Sequence, residues 1–193
     1  MVELLRAFGP KASAWADQLA DEFGSVAAIL AAGPTALARI LGAGNPAIRH
    51  ILMVRDVMCH VLREEALKAP ILSTSEALID YLFADMAHLP AERLRVLFLN
   101  SKNRLLRDEM VSEGSVNEAP IYPREIMRRA LEVGATALIL AHNHPSGDAQ
   151  PSEGDILSTR RVSEAAQALD IRIHDHVIVA RSGWTSFRML GLI

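Results

Sequence analysis

Cysteine is almost missing from this chain: Cys59 is the only one in 193 residues. One thiol cannot build a disulfide framework, and a zinc site made of cysteine thiolates is excluded with it. That scarcity fits a reducing, cytoplasmic location. The first residues, Met1 to Arg6, lack the long apolar region of a signal peptide. No apolar run approaches the roughly 20 residues that a membrane-spanning helix needs. Basic residues are not in excess either: 20 Lys and Arg stand against 23 Asp and Glu, for a net charge of −3. The chain therefore has no global basic footprint for nucleic acid. No low-complexity tract occurs. Half the residues are hydrophobic, so a core can be built, and the length suits one large or two small domains.

Residues 1–68 read as helical. Trp15, Leu19 and Phe23 are spaced for one helix face, and Val26–Leu30, Leu37–Leu41 and Ile48–Leu62 continue in helical pieces. Gly24, Gly33-Pro34 and Gly42-Ala43-Gly44-Asn45-Pro46 punctuate them. The last of these resembles the hairpin of a helix-hairpin-helix module, whose glycines let backbone N–H groups meet a phosphate. That reading gives weak, sequence-independent DNA contact through the N-terminal domain. The plainer reading is a glycine turn between packed helices. Residues 69–73 read as a linker, followed by a helix from Ser75 to Ala87.

The stretch that carries chemistry runs from Thr136 to Asp155. Thr136–Ala141 is short, uncharged and preceded by Gly134, so it reads as a buried strand. Residues i and i+2 on a strand share a face, so His142 and His144 project together where Pro145 stops the ladder. Pro151-Ser152 then opens a helix, Asp155–Leu169, with Ser152 as N-cap and Asp155 in the first turn. The positive helix end favours an ionised Asp155. Two imidazoles and a carboxylate make a three-ligand site, and three protein ligands leave one position for water, the mark of a catalytic zinc. Against this stands the bland alternative of a polar His pair beside an Asp that only caps a helix.

His-x-His-Pro, then a Ser eight residues after the second His and an Asp three residues further, resembles the JAMM motif of the MPN-domain metalloproteases. His142-Asn143-His144-Pro145-Ser146-Gly147, with Pro151-Ser152, Asp155 and Thr159, is similar to the RadC-like branch of that superfamily. The likeness extends to Tyr122-Pro123-Arg124-Glu125, Asp175-His176 and Ser186-Phe187, and covers roughly residues 73–193. It implies a mixed-sheet, cytidine deaminase-like α/β (α+β) metalloprotease domain behind a small all-α N-terminal domain. It implies Zn2+ held by His142, His144 and Asp155. Ser152 matches the motif's serine, which helps to stabilise the tetrahedral intermediate. The general base of such proteins is a Glu just before the strand that follows the first helix, and Glu92 occupies that position. Glu109 on the return strand is the next candidate, and Glu125 the third.

The sheet should contain Leu94–Leu99, Arg104–Val111, Thr136–His142 and Ile171–Val179. Antiparallel pairing of the first and third of these would bring Glu92 to the His-x-His end. A second His-x-His, His174 and His176, has no carboxylate at a matching spacing. Alternation puts Ile173, Asp175, Val177 and Val179 on one face and the two histidines on the other. Asp175 either accepts the free ring N–H of a ligand His or bonds locally to backbone.

The resemblance therefore implies a zinc metallopeptidase or isopeptidase acting on a peptide or protein. The alternative is a DNA-associated, repair-linked binding protein whose metal site is structural or vestigial. A two-His-one-carboxylate iron oxygenase is disfavoured by ligand order. The letters His-Asn-His match HNH nucleases only by accident, because the ligand spacing differs.

Overall fold

A computed structural model describes residues 1–67, 70, 75–114 and 121–193. The linker reading at residues 69–73 lies outside them except at Pro70. The chain divides into two compact units, Met1–Val61 and Leu62–Ile193.

The first unit is all helical. Helices α1 (Val2–Leu5), α2 (Lys11–Phe23), α3 (Val26–Ala31) and α4 (Pro34–Leu41) are followed by the Pro46–Val61 part of α5 (Pro46–Leu67). Leu5, Leu19, Ile29, Leu37 and Ile51 form its core, with Trp15 and Phe23 partly buried against them. The stops act as glycine and cap chemistry require. Gly24 closes α2 with φ 74°, a left-handed conformation that costs glycine little. The Ser25 hydroxyl accepts the Ala28 N–H at 3.1 Å to start α3. In the 42–46 turn, Asn45 bridges the two helices. Its amide donates to the Leu41 carbonyl and its Oδ1 accepts the Ala47 N–H, both at 3.0 Å.

The second unit is α+β. In chain order come α6 (Ser75–Met86), β1 (Arg93–Leu99), β2 (Leu105–Glu113), α7 (Pro123–Val133), β3 (Ala137–Asn143), α8 (Glu153–Gln167), β4 (Arg172–Ala180) and β5 (Gly183–Ser186). The strands form one mixed sheet in the order β2-β1-β3-β4-β5. β1 is antiparallel to both neighbours, β3 and β4 are parallel, and β5 returns antiparallel to β4. A parallel pair needs a crossover, and α8 supplies it. All seven residues of β3 are buried, because the strand is central and both its faces are covered. On one face Leu138 and Leu140 pack with Ala130 of α7 and Val162 and Ala166 of α8. On the other, Ile139 and Ala141 pack with Leu78 and Leu82 of α6.

The sheet holds the four strands expected of it and, in addition, the short edge strand β5. The alternation expected for β4 fails at its start. Leu138 pairs with Ile173, but Ile139 pairs with Asp175, so His174 is an extra residue. An inserted residue reverses the strand's parity. Ile173 therefore packs on the α7–α8 side, whereas Val177 and Val179 pack on the α6 side. The two histidines are split: His174 bonds Asn103 Oδ1 at 2.7 Å, and His176 turns to the His142 face.

Candidate metal centre

The centre forms where the end of β3 meets the start of α8. His142 is a buried β3 residue. His144 lies just past the strand, held by its N–H to the Val179 carbonyl at 3.0 Å. The chain then turns sharply. The Gly147 N–H reaches the His144 carbonyl at 3.0 Å with φ 94° at Gly147. The left-handed backbone calls for glycine, and a Cβ there would press on the Arg181 guanidinium, 3.0 Å away. The turn brings the Asp148 carbonyl within 2.8 Å of His144 Nδ1.

Ser152 caps α8 and, in doing so, aims Asp155. Its hydroxyl accepts the Asp155 N–H at 3.1 Å and donates to Asp155 Oδ2 at 2.6 Å; its own N–H meets the same oxygen at 2.8 Å. This reciprocal capping box leaves Asp155 facing the imidazoles. Oδ1 lies 3.2 Å from His142 Nε2 and Oδ2 lies 3.4 Å from His144 Nε2. The two Nε2 atoms are 2.9 Å apart. His142, His144 and Asp155 thus form the group, among the described residues, that could hold a metal ion.

The electrostatics point the same way. Burial works against an ionised Asp155, but the facing rings of His142 and His144 and the Ser152 hydroxyl outweigh it and hold the carboxyl far below its ordinary range. The nearness of the Asp155 carboxylate raises the His144 pKa; burial opposes this, and the Asp148 carbonyl and the charge of Glu92 add to it. Each ring Nδ1 is already engaged, by Asp148 for His144 and by His176 at 2.7 Å for His142. The atoms left to face one another are two ring nitrogens and a carboxylate. Neutral imidazoles whose protons sit on Nδ1 offer three acceptors and no donor, which is a setting for a cation.

Glu92 is buried just ahead of β1. The antiparallel register sets Leu94 opposite His142, so Glu92, two residues earlier, falls at the level of His144 and on the same face. Its backbone is clamped by Asn143, the residue between the two histidines. Asn143 Oδ1 accepts the Arg93 N–H at 2.9 Å, and its amide donates to the Ala91 carbonyl at 3.1 Å.

The other carboxylates lie elsewhere. Glu109 pairs with Arg129, at 2.8 Å to Nε, and opposes Val96 in the sheet. Glu125 is exposed and paired with Arg128. Asp175 bonds no ligand histidine. It accepts the N–H groups of His176 and Arg188 at 2.7 and 3.1 Å and the Ser186 hydroxyl at 2.6 Å, which is the local alternative.

Sequence reasoning missed His176 as the partner of His142. This ring is fully buried, stacks on Phe187 with centroids 4.7 Å apart, and bonds Thr159 Oγ1 at 2.6 Å. Burial, then the neighbouring His142, lowers its pKa well below the ordinary value. A signal was present in Thr159: it lies four residues after Asp155 and so on the same helix face.

The profile of the family described as RadC-like JAB domain matches residues 72–192. A UPF0758 protein of Rhodobacter capsulatus is 44% identical over 178 residues, covering 92% of this chain and 83% of that protein. Matching more than half of the chain, with such a relative spanning nearly all of it, the chain belongs to the RadC-like JAB domain family.

Proposed function

We propose that this protein is a zinc-dependent hydrolase of the JAMM type, a metallopeptidase or isopeptidase that cleaves an amide bond in a peptide or protein. The observation that carries the reading is the convergence of His142 Nε2, His144 Nε2 and the Asp155 carboxylate, with both Nδ1 atoms engaged elsewhere. The donor set suits a borderline cation such as zinc, which is bound by imidazole nitrogen and carboxylate oxygen. Bound there, zinc would polarise a carbonyl and lower the pKa of water toward ~7.

The chain's own residues supply the rest. Glu92 takes the proton from the attacking water and returns it to the leaving amine, as a general base and then acid. Its support is its burial at the level of His144 and the Asn143 clamp on both flanking residues. Ser152 holds Asp155 in place through the capping box, and it matches the serine of the JAMM motif, which helps to stabilise the tetrahedral intermediate. Glu109 is unsuited to the role of base, because Arg129 neutralises it and holds its pKa low.

The test is Glu92→Gln, which keeps shape and removes the base. Zinc-loaded wild type should cleave members of a panel of peptide and isopeptide substrates. The variant should keep its zinc and lose roughly 10²–10⁴-fold in rate. A variant as fast as wild type would remove Glu92 from the mechanism, and a zinc-loaded wild type inert on the whole panel would count against peptidase activity.

A further inference from the structure

The Thr159 hydroxyl lies 2.6 Å from the Asp155 carbonyl and 2.6 Å from His176 Nδ1. A carbonyl can only accept, so the single hydroxyl proton goes to it. The same oxygen is then an acceptor toward His176, and Nδ1 of that ring carries a proton. His176 is completely buried, and its ring nitrogens meet a hydroxyl and another imidazole rather than a carboxylate. An imidazolium in that place would be a buried charge without a counter-ion, so the ring is neutral. Its Nε2 is therefore an acceptor. That atom is 2.7 Å from His142 Nδ1, so His142 donates, and His142 Nε2 keeps a bare lone pair directed at Asp155 and His144.

We propose that Thr159 and His176 are positioning residues that fix the tautomer of His142, so that its Nε2 is ready to bind a metal ion. The proposal rests on the metal reading given above. The relay starts at the backbone of Asp155, itself in the metal group, and ends on the ring of His142. Helix α8 thus controls both the carboxylate and the proton of the opposite imidazole. His144 reaches the same tautomer separately, through the Asp148 carbonyl. The stacking of Phe187 on His176 keeps the intermediate ring in register.

Without the Thr159 hydroxyl, His176 Nδ1–H has no acceptor there. The ring can move its proton to Nε2 and present a donor to His142, which would place the His142 proton on the metal-facing nitrogen. Partners of this outer kind commonly contribute 10–100-fold in metal affinity. Thr159→Val, which preserves shape, should therefore weaken zinc binding by about that factor in competition with a chromophoric chelator. Thr159→Ser, which restores the hydroxyl, should recover it. Long-range ¹H–¹⁵N spectra of the zinc-loaded wild type should show His142 and His176 both protonated on Nδ1. A His176 protonated on Nε2 would overturn the proposal whatever the variants do. So would a folded Thr159→Val protein with wild-type affinity and unchanged ring shifts. If the wild type binds no zinc, the metal reading fails, and the His176 tautomer in the zinc-free protein still decides whether the relay exists.

Discussion

Asn143 offers a quantitative test of how the site is assembled. It is completely buried, and its orientation is forced, because the Arg93 N–H needs an acceptor and the Ala91 carbonyl needs a donor. Asn143→Asp keeps the first bond and reverses the second. The lost hydrogen bond is worth about 1 kcal/mol, and a buried carbonyl left facing an acceptor costs about 1–3 kcal/mol more. The sum is about 2–4 kcal/mol. At roughly 2–4 °C per kcal/mol for a protein of this size, Tm should fall by about 4–16 °C. The assay is thermal unfolding followed by circular dichroism across pH. The introduced carboxyl is buried against a carbonyl, so its pKa in the fold is raised and its protonated form can donate to Ala91. The penalty relative to wild type should be full at high pH and shrink as pH falls through that raised value. Asn143→Ala loses both bonds, so its penalty should not change with pH. An Asn143→Asp protein that melts with wild type at neutral pH, or whose penalty grows on acidification, would refute the clamp.

Tyr81 is buried and donates to Asp108 Oδ2 at 2.8 Å, and burial, then the charge of Asp108, pushes its pKa well up. Its contribution to stability should be fully present below the free phenol value of ~10 and be lost as pH rises through the raised folded value. The gap in Tm between wild type and Tyr81→Phe should therefore narrow above about pH 10; a constant gap through that range would contradict the account. Ser152→Ala removes the α8 cap and should cost about 1 kcal/mol in unfolding experiments. It should also weaken zinc binding, since Asp155 Oδ2 loses a donor; a variant equal to wild type in both measurements would show that the capping box is idle.

The legible parts of the fold are those with short-range causes. The run Thr136–Ala141 is uncharged, so it announces a buried central strand, and the observed β3 follows it within one residue or two. Ser152 and Asp155 advertise a helix start because their side chains satisfy orphan N–H groups three residues apart. The unreadable parts depend on partners far along the chain. A period of two cannot reveal that His174 is an inserted residue, because the insertion exists only relative to β3. Asp175 takes the local alternative, and the ring that meets His142 is His176, on the other face of β4. Asn143 clamps residues some 50 positions away, and nothing next to it in sequence hints at this. An isolated Glu before a strand has no local signature, so Glu92 needed the family resemblance to be noticed. The strand β5 is only four residues long and carries the half-exposed Trp184, too little pattern to separate it from a turn.

The central claim is that His142, His144 and Asp155 hold one catalytic zinc ion. The most direct measurement is zinc content by elemental analysis after equilibrium dialysis, on untagged wild type and on His142→Ala. The account predicts about one zinc per wild-type chain and close to none in the variant, with circular dichroism showing both folded. A folded His142→Ala protein that retains full zinc, or a wild type that stays empty under the same loading, would contradict it.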